Sequence, residues 1–99
     1  MIRHVFSWRV ADGHSNDEVV ELLNTLRDAL PVIKYWELGR HQGDPGDNGE
    51  PFDGVLINDF DSWDDLESYS KDPIHLDVVA RLLPLFATRA VVDFVREDN

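Results

Sequence analysis

The chain has 99 residues, of which 42% are hydrophobic, and these values predict one globular domain over residues 1–99. Its formal net charge of −11 disfavours binding to nucleic acids or anionic membrane surfaces, and the absence of cysteine excludes disulfides, thiolate nucleophiles and thiolate metal ligands. No segment approaches the ~20 apolar residues of a membrane span, and Met1 leads into a strand pattern rather than a signal peptide, so we expect a cytoplasmic protein.

Hydrophobic periodicity predicts the first strand and the first helix. Residues 2–10 alternate between apolar and polar positions, as a strand with one buried face does. The predicted buried face carries Ile2, His4, Phe6, Trp8 and Val10. A capping box begins at Ser15 and apolar residues follow at helical spacing, so we predict a helix over residues 15–30 that ends before Pro31.

Two further strands follow, with a loop between them. Residues 32–40 and 52–60 have strand patterns, and residues 41–51 are rich in Gly, Asp and Pro. The later strand contains the continuous apolar run Val55-Leu56-Ile57. Such a run indicates that both faces of the sheet are covered.

Two helices separated by a break precede the last strand. Ser62 is the predicted N-cap of one helix, and Asp72 caps the next with Pro73 at its first position. Pro84 stops or kinks the second helix. Residues 88–96 then form a strand, and residues 97–99 an acidic tail.

The element order β-α-β-β-α-β predicts the α+β ferredoxin-like fold, in which a four-stranded antiparallel sheet carries both helices on one face. Its first and last strands lie side by side. The opposite face includes Val5 and the apolar run of the third strand, and it needs a cover. We therefore expect a homodimer that pairs through these sheet faces.

His4 and Asp93 are the first two candidate functional residues. His4 lies on the apolar face of the first strand, and Asp93 lies near the end of the last one. Because these strands run antiparallel, the two side chains can meet, and the carboxylate would then fix the imidazole tautomer. The alternatives are a hydrogen-bonded core histidine and an aspartate at a solvated rim.

Tyr69 and His75 flank the helix break and form the second candidate pair. Both can reach the mouth of one pocket, where an imidazole supplies general acid/base chemistry and a phenol donates to a developing oxyanion. The structural alternative is a core tyrosine with its hydroxyl at the surface and an exposed histidine in a helix turn.

No metal site is predicted. Acidic and amide residues crowd the loop at Asp44, Asp47, Asn48 and Glu50. Their spacing does not fit a calcium loop, so turn formation is the better explanation. His14 and His41 are isolated, and no histidine spacing indicates zinc.

Several motifs together resemble the stress-responsive A/B barrel (Dabb) family. They are Met1-Ile2-Arg3-His4-Val5, Phe60-Asp61-Ser62, Tyr69-x-x-Asp72-Pro73-x-His75 and Val91-Val92-Asp93-Phe94. The resemblance covers the chain from residue 2 to about residue 95. The resemblance implies a ferredoxin-like protomer that pairs with a second copy to form a dimeric α+β barrel. This implication agrees with the separate argument from the uncovered sheet face.

The resemblance also implies roles for particular residues. The best-understood enzyme of the family is a plant polyketide cyclase that makes olivetolic acid without metal or organic cofactor. Its catalytic tyrosine and histidine match Tyr69 and His75, its pocket histidine matches His4, and its last strand has an aspartate matching Asp93. The family often has histidine where this chain has Asp72, so the same substrate is not implied.

The sequence therefore predicts a protein that binds a small, mostly apolar molecule between sheet and helices. We expect Phe6, Trp8, Phe86 and Val91 to contact that molecule. The enzyme hypothesis is a cofactor-free cyclase, lyase or isomerase using Tyr69 and His75. Two alternatives stay open, namely a non-enzymatic stress-associated binding or assembly module, whose pocket would be filled by its own aromatic side chains, and a cofactor-free monooxygenase.

Overall fold

The computed structural model describes residues 1–97, and its elements follow the predicted order. They are β1 (Ile2–Val10), α1 (Asn16–Arg27), β2 (Tyr35–Arg40), β3 (Gly54–Phe60), α2 (Trp63–Lys71), α3 (Pro73–Leu82) and β4 (Phe86–Val95), with a 3₁₀ turn at Leu83–Leu85. The strands form an antiparallel sheet in the order β2-β3-β1-β4, which confirms the ferredoxin-like protomer. The predicted acidic tail extends into residues 98–99, which lie outside the described residues.

The helix starts follow the predicted capping residues. Ser15 accepts a hydrogen bond from the backbone N–H of Glu18 at 3.4 Å, and Ser62 accepts one from Asp65 at 3.1 Å. The Glu18 carboxylate contacts His14 at 3.3 Å. Only the serine half of the predicted capping box is therefore present at α1.

Several element ends differ from the predictions by a few residues. α1 ends at Arg27 rather than near residue 30, because the chain turns at Asp28, whose N–H bonds to Leu26 O. β4 starts at Phe86 rather than at residue 88, because the 3₁₀ turn ends at Leu85 and Phe86 already pairs with Val10 of β1. β2 starts at residue 35 instead of 32, after a turn, and β3 starts at 54 instead of 52.

The core lies between the helices and one face of the sheet. Trp8 on β1 is completely buried there, and its indole N–H donates to Asn16 Oδ1 at 2.8 Å. Gly54 on β3 is its register partner. A Cβ on Gly54 would lie 2.2 Å from Trp8 Cζ2 and 2.9 Å from Gly39 O, so the indole needs a glycine beside it.

We expect Gly54→Ala to destabilise the protein by about 1–3 kcal/mol, because the added methyl group overpacks a buried site. Urea unfolding followed by tryptophan fluorescence measures this change. Gly39→Ala is the matched control on the neighbouring strand, since its Cβ would meet only Val55 Cγ1 at 3.8 Å. Equal stability of the two variants would contradict the packing argument.

The opposite side of the sheet is the open face. Its apolar side chains are Val5, Val55, Ile57, Val92 and Phe94. Val92 is 60% exposed, and the predicted residue Val5 is half-buried. Within residues 1–97, no helix combines the length and the apolar character that crossing a membrane requires.

A buried ionic cluster at one end of the open face was not predicted. The Asp59 carboxylate is completely buried and accepts hydrogen bonds from Arg3 at 2.9 and 3.0 Å and from Arg96 at 3.0 Å. The hydrogen bond from Arg3 lowers the pKa of Asp59 below its ordinary value. The two guanidinium groups therefore keep this carboxylate charged and compensate its burial.

Candidate active site

Tyr69 and His75 meet at the break between two helices. Tyr69 lies near the end of α2, and His75 lies in the first turn of α3. Asp72 is extended between them and caps α3 by accepting from the Ile74 N–H at 2.9 Å. This break places the ring centroids of Tyr69 and His75 4.4 Å apart.

The hydrogen bonding of His75 assigns its tautomer. Nδ1 lies 3.1 Å from the carbonyl oxygen of Ser70. Because that oxygen can only accept, Nδ1 carries the proton and Nε2 of the neutral ring is bare. Burial lowers the pKa of His75 below its ordinary 6.5, although the Ser70 carbonyl opposes this shift. At neutral pH, His75 is therefore a neutral imidazole with a basic Nε2.

Tyr69 has the complementary properties of a proton donor. Its ring is almost completely buried and packs against Phe60 at a centroid distance of 4.9 Å. Burial raises the pKa of Tyr69 above its ordinary 10.0, and the side chain of Asn58 opposes this with a smaller effect. The phenol therefore keeps its proton at neutral pH and is suited to donate a hydrogen bond.

His4 and Asp93 are brought together by strand register. They are direct partners in the β1–β4 ladder, and His4 Nδ1 hydrogen-bonds to Asp93 Oδ1. A carboxylate accepts, so Nδ1 of the neutral ring carries the proton and Nε2 is bare. The His4 ring lies 6.2 Å from that of Tyr69 in an edge-on arrangement. Asp93 is also exposed, so it both pairs with the imidazole and lies at the solvated rim.

A cavity of about 420 Å³ lies beside these groups. Its lining residues are His4, Phe6, Leu23, Leu26, Leu56, Tyr69, His75, Val79, Leu82, Phe86, Arg89, Ala90 and Val91. Phe6, Phe86 and Val91, three of the residues predicted to contact a ligand, line this cavity. Trp8 does not, because its ring is enclosed in the core against Gly54 and hydrogen-bonds to Asn16.

The sequence reasoning missed Asn58 near the cavity. Asn58 is the register partner of His4, it is completely buried, and it lies close enough to Tyr69 to affect its pKa. Among the described residues, its amide Nδ2 and Oδ1 make no contact with standard hydrogen-bond geometry. A signal was present, because Asn58 has the same strand phase as Leu56 and so continues a buried face.

Arg89 is the other lining residue that was missed. It shares the strand phase of Val91 and Asp93, which already pointed to the helix-facing side of the sheet. The predicted strand of residues 88–96 included Arg89, but the sequence analysis gave this residue no role. The structure instead places it among the cavity residues.

The acidic loop forms turns. Asp44 Oδ1 accepts from the Gly46 N–H at 2.8 Å, and Asn48 Nδ2 donates to Pro45 O at 2.8 Å. These contacts agree with the predicted turn formation. Across residues 1–97, no group of three or more His, Asp or Glu side chains is placed to hold a metal ion.

Comparison with known proteins identifies relatives along nearly the whole chain. The family model described as "Stress responsive A/B Barrel Domain" matches residues 2–96. No curated protein matches the chain significantly.

Solved structures with this fold are similar over most of their length. A dimeric ferredoxin-like protein of unknown function from Thermobifida fusca is 28% identical, with a TM-score of 0.77 over 96% of this chain and 90% of that chain. The hydroxynitrile lyase from Passiflora edulis is 20% identical, with a TM-score of 0.86 over 99% of this chain and 94% of that chain. A Dabb family protein with a ferredoxin-like fold from Mesorhizobium loti is 19% identical, with a TM-score of 0.80 over 98% of this chain and 97% of that chain.

Proposed function

The chain belongs to the stress-responsive A/B barrel (Dabb) family, and from that premise we propose that it is a homodimeric, cofactor-independent enzyme acting on a small, mostly apolar carbonyl compound. The proposed reaction is proton abstraction next to a carbonyl, followed by aldol-type carbon–carbon bond formation within the substrate. The observation that carries this proposal is the contact between a neutral His75 and a protonated Tyr69 in the wall of an apolar cavity.

The two side chains have complementary parts in this reaction. His75 Nε2 takes the proton from the carbon next to the carbonyl, and the electron pair of that C–H bond forms an enolate. The Tyr69 hydroxyl donates a hydrogen bond to the enolate oxygen. The enolate carbon attacks a second carbonyl of the substrate, and the resulting alkoxide takes the proton back from the His75 imidazolium.

His4 and Asp93 position the substrate in this proposal. The Asp93 carboxylate holds the His4 ring through Nδ1, so Nε2 is the remaining polar atom of the ring. That nitrogen accepts a hydrogen bond from a substrate hydroxyl when the ring is neutral. Run in reverse, the same groups would cleave a carbon–carbon bond, and the name of the Passiflora edulis protein specifies a lyase.

The cavity supports an enzyme over a purely structural module. The non-enzymatic alternative, a binding or assembly module, predicted that Phe6, Trp8, Phe86 or their neighbours would fill the pocket. Trp8 packs in the core instead, and a cavity of about 420 Å³ remains beside the two phenylalanines. This volume falls within the roughly 300–1,000 Å³ of small-molecule sites. The monooxygenase alternative needs an oxygen-reactive substrate, whereas these residues are suited to proton transfer.

The open face supports the homodimer. Val92 and Phe94 are 60% and 43% exposed there, and a monomer would leave this apolar patch in water. The relative from Thermobifida fusca is described as dimeric. A second copy placed face to face would cover the patch and form the α+β barrel.

The pH dependence of a model reaction tests the acid/base assignment. We expect the protein to catalyse hydrogen–deuterium exchange at the α-carbon of 4-phenyl-2-butanone, a small apolar ketone, followed by NMR. The pKa of His75 is lowered from 6.5, so the midpoint of the fall in kcat/KM on the acid side should lie below pH 6.5. The pKa of Tyr69 is raised from 10.0, so the midpoint of any loss from its ionisation should lie above pH 10.

The low-pH side of the rate profile tests the role of His75 as the base. Protonation of His75 removes the base, so the activity is present above its pKa and lost as the pH falls through it. A half-maximal rate well above pH 6.5, or no exchange above the buffer rate, would contradict the proposed function.

A further inference from the structure

Arg89 differs from every other basic residue of the chain in its contacts. The other arginines and lysines each contact an acidic side chain or a backbone carbonyl. Arg89 has no such partner among the described residues, although acidic residues outnumber basic ones by 20 to 9. Its side chain lines the cavity, and no carboxylate is among the lining residues.

The register separates Arg89 from the proposed reaction centre. On β4 it lies four residues before Asp93, and its partner on β1 is Trp8, whereas Asp93 is paired with His4. Four residues of strand span roughly 13 Å. Val91 and its β1 partner Phe6 lie between the two ends and are apolar. The cavity thus has a cation at one end and acid/base groups at the other.

A ligand that fills the cavity would change the surroundings of Arg89. Arg89 is exposed to solvent, so its charge is hydrated. An apolar ligand lying against it would remove part of that water without providing a hydrogen-bond acceptor, and this desolvation is unfavourable. A carboxylate replaces the water with charge-assisted hydrogen bonds in the planar geometry that arginine prefers.

We propose that the cavity selects amphipathic carboxylates, with the carboxylate on Arg89 and an apolar body of roughly 10 Å extending toward Tyr69 and His75. The inference rests on the proposed function in one respect, namely that the substrate's reactive carbonyl lies at the far end from the carboxylate. Arg89 is then the residue that determines the substrate class, through binding rather than through chemistry.

Calorimetry with two probes of equal chain length tests the proposal. We expect octanoate to bind the wild-type protein roughly 10-fold more tightly than 1-octanol, because only octanoate carries the anion that Arg89 needs. Arg89→Gln should remove this preference by weakening octanoate binding alone. Arg27→Gln is the matched control, since Arg27 pairs with Asp28 and does not line the cavity.

Three results of these binding measurements would contradict the proposal. Equal affinity of the wild-type protein for the two probes, an unchanged preference in Arg89→Gln, or no binding of either probe would overturn the inference. Neither probe contains a ketone, so this measurement does not depend on proton abstraction. A wild-type protein that exchanges 4-phenyl-2-butanone but shows no preference for octanoate would refute the role of Arg89 alone. A wild-type protein that prefers octanoate but catalyses no exchange would refute the acid/base function alone.

Discussion

Glutamate in place of Val92 is expected to separate the proposed homodimer into monomers. Val92 is 60% exposed on the open face, so the folded monomer should accept a carboxylate there. In a face-to-face dimer, symmetry buries two such carboxylates per interface, each at a cost of several kcal/mol without a partner. The dissociation constant should rise roughly 1,000-fold or more. Sedimentation velocity at micromolar concentration measures the change.

Val95→Glu is the matched control for this experiment. Val95 lies on the same strand and is 59% exposed, but its register partner Ile2 places it on the helix-facing side. The Val95→Glu variant should therefore remain dimeric. Dissociation of both variants to the same extent, or of neither, would show that the open face is not the interface.

The sheet could be predicted because its signals are local and regular. The alternation of residues 2–10 alone assigned His4 to the buried face, and antiparallel pairing then placed it beside Asp93. The helix starts were equally clear, since Ser15, Ser62 and Asp72 each hold a backbone N–H as expected for N-caps.

How deeply each side chain is buried within the core could not be predicted from the strand pattern. Trp8 and Phe6 share a strand face, yet only Phe6 reaches the cavity. The difference depends on Gly54 of another strand, which leaves room for the indole, and on Asn16, which binds its N–H. Such contacts between distant segments have no signature in the alternation pattern of a single strand.

The polar neighbours of the cavity were missed for a related reason. Asn58 and Arg89 each lie within a strand and follow the correct phase, but a single polar residue in a strand has many structural explanations. These two residues stand out because their polar side chains lack good hydrogen-bond partners in the folded protein. Among residues 1–97, the Asn58 amide lies beside Tyr69 without a hydrogen bond of standard geometry, and the Arg89 guanidinium has no hydrogen-bond partner. Only three-dimensional contacts reveal this.

Replacing His75 by glutamine is expected to reduce catalysed exchange of 4-phenyl-2-butanone by roughly 100- to 10,000-fold, because the variant has no basic nitrogen at this position. Tyr69→Phe should reduce it by roughly 100-fold or more, since the ring still packs against Phe60 but no longer donates to the enolate. The rates are measured by NMR with the same protein concentration. Circular dichroism establishes that each variant is folded.

His14→Gln is the control for removal of a histidine as such. The exposed side chain of His14 pairs with Glu18 and lies outside the cavity, so its loss should leave the exchange rate unchanged. The double variant of His75 and Tyr69 should be little slower than His75→Gln, because the phenol stabilises an enolate that forms only when the base acts. Full activity of a folded His75→Gln protein would exclude the proposed mechanism.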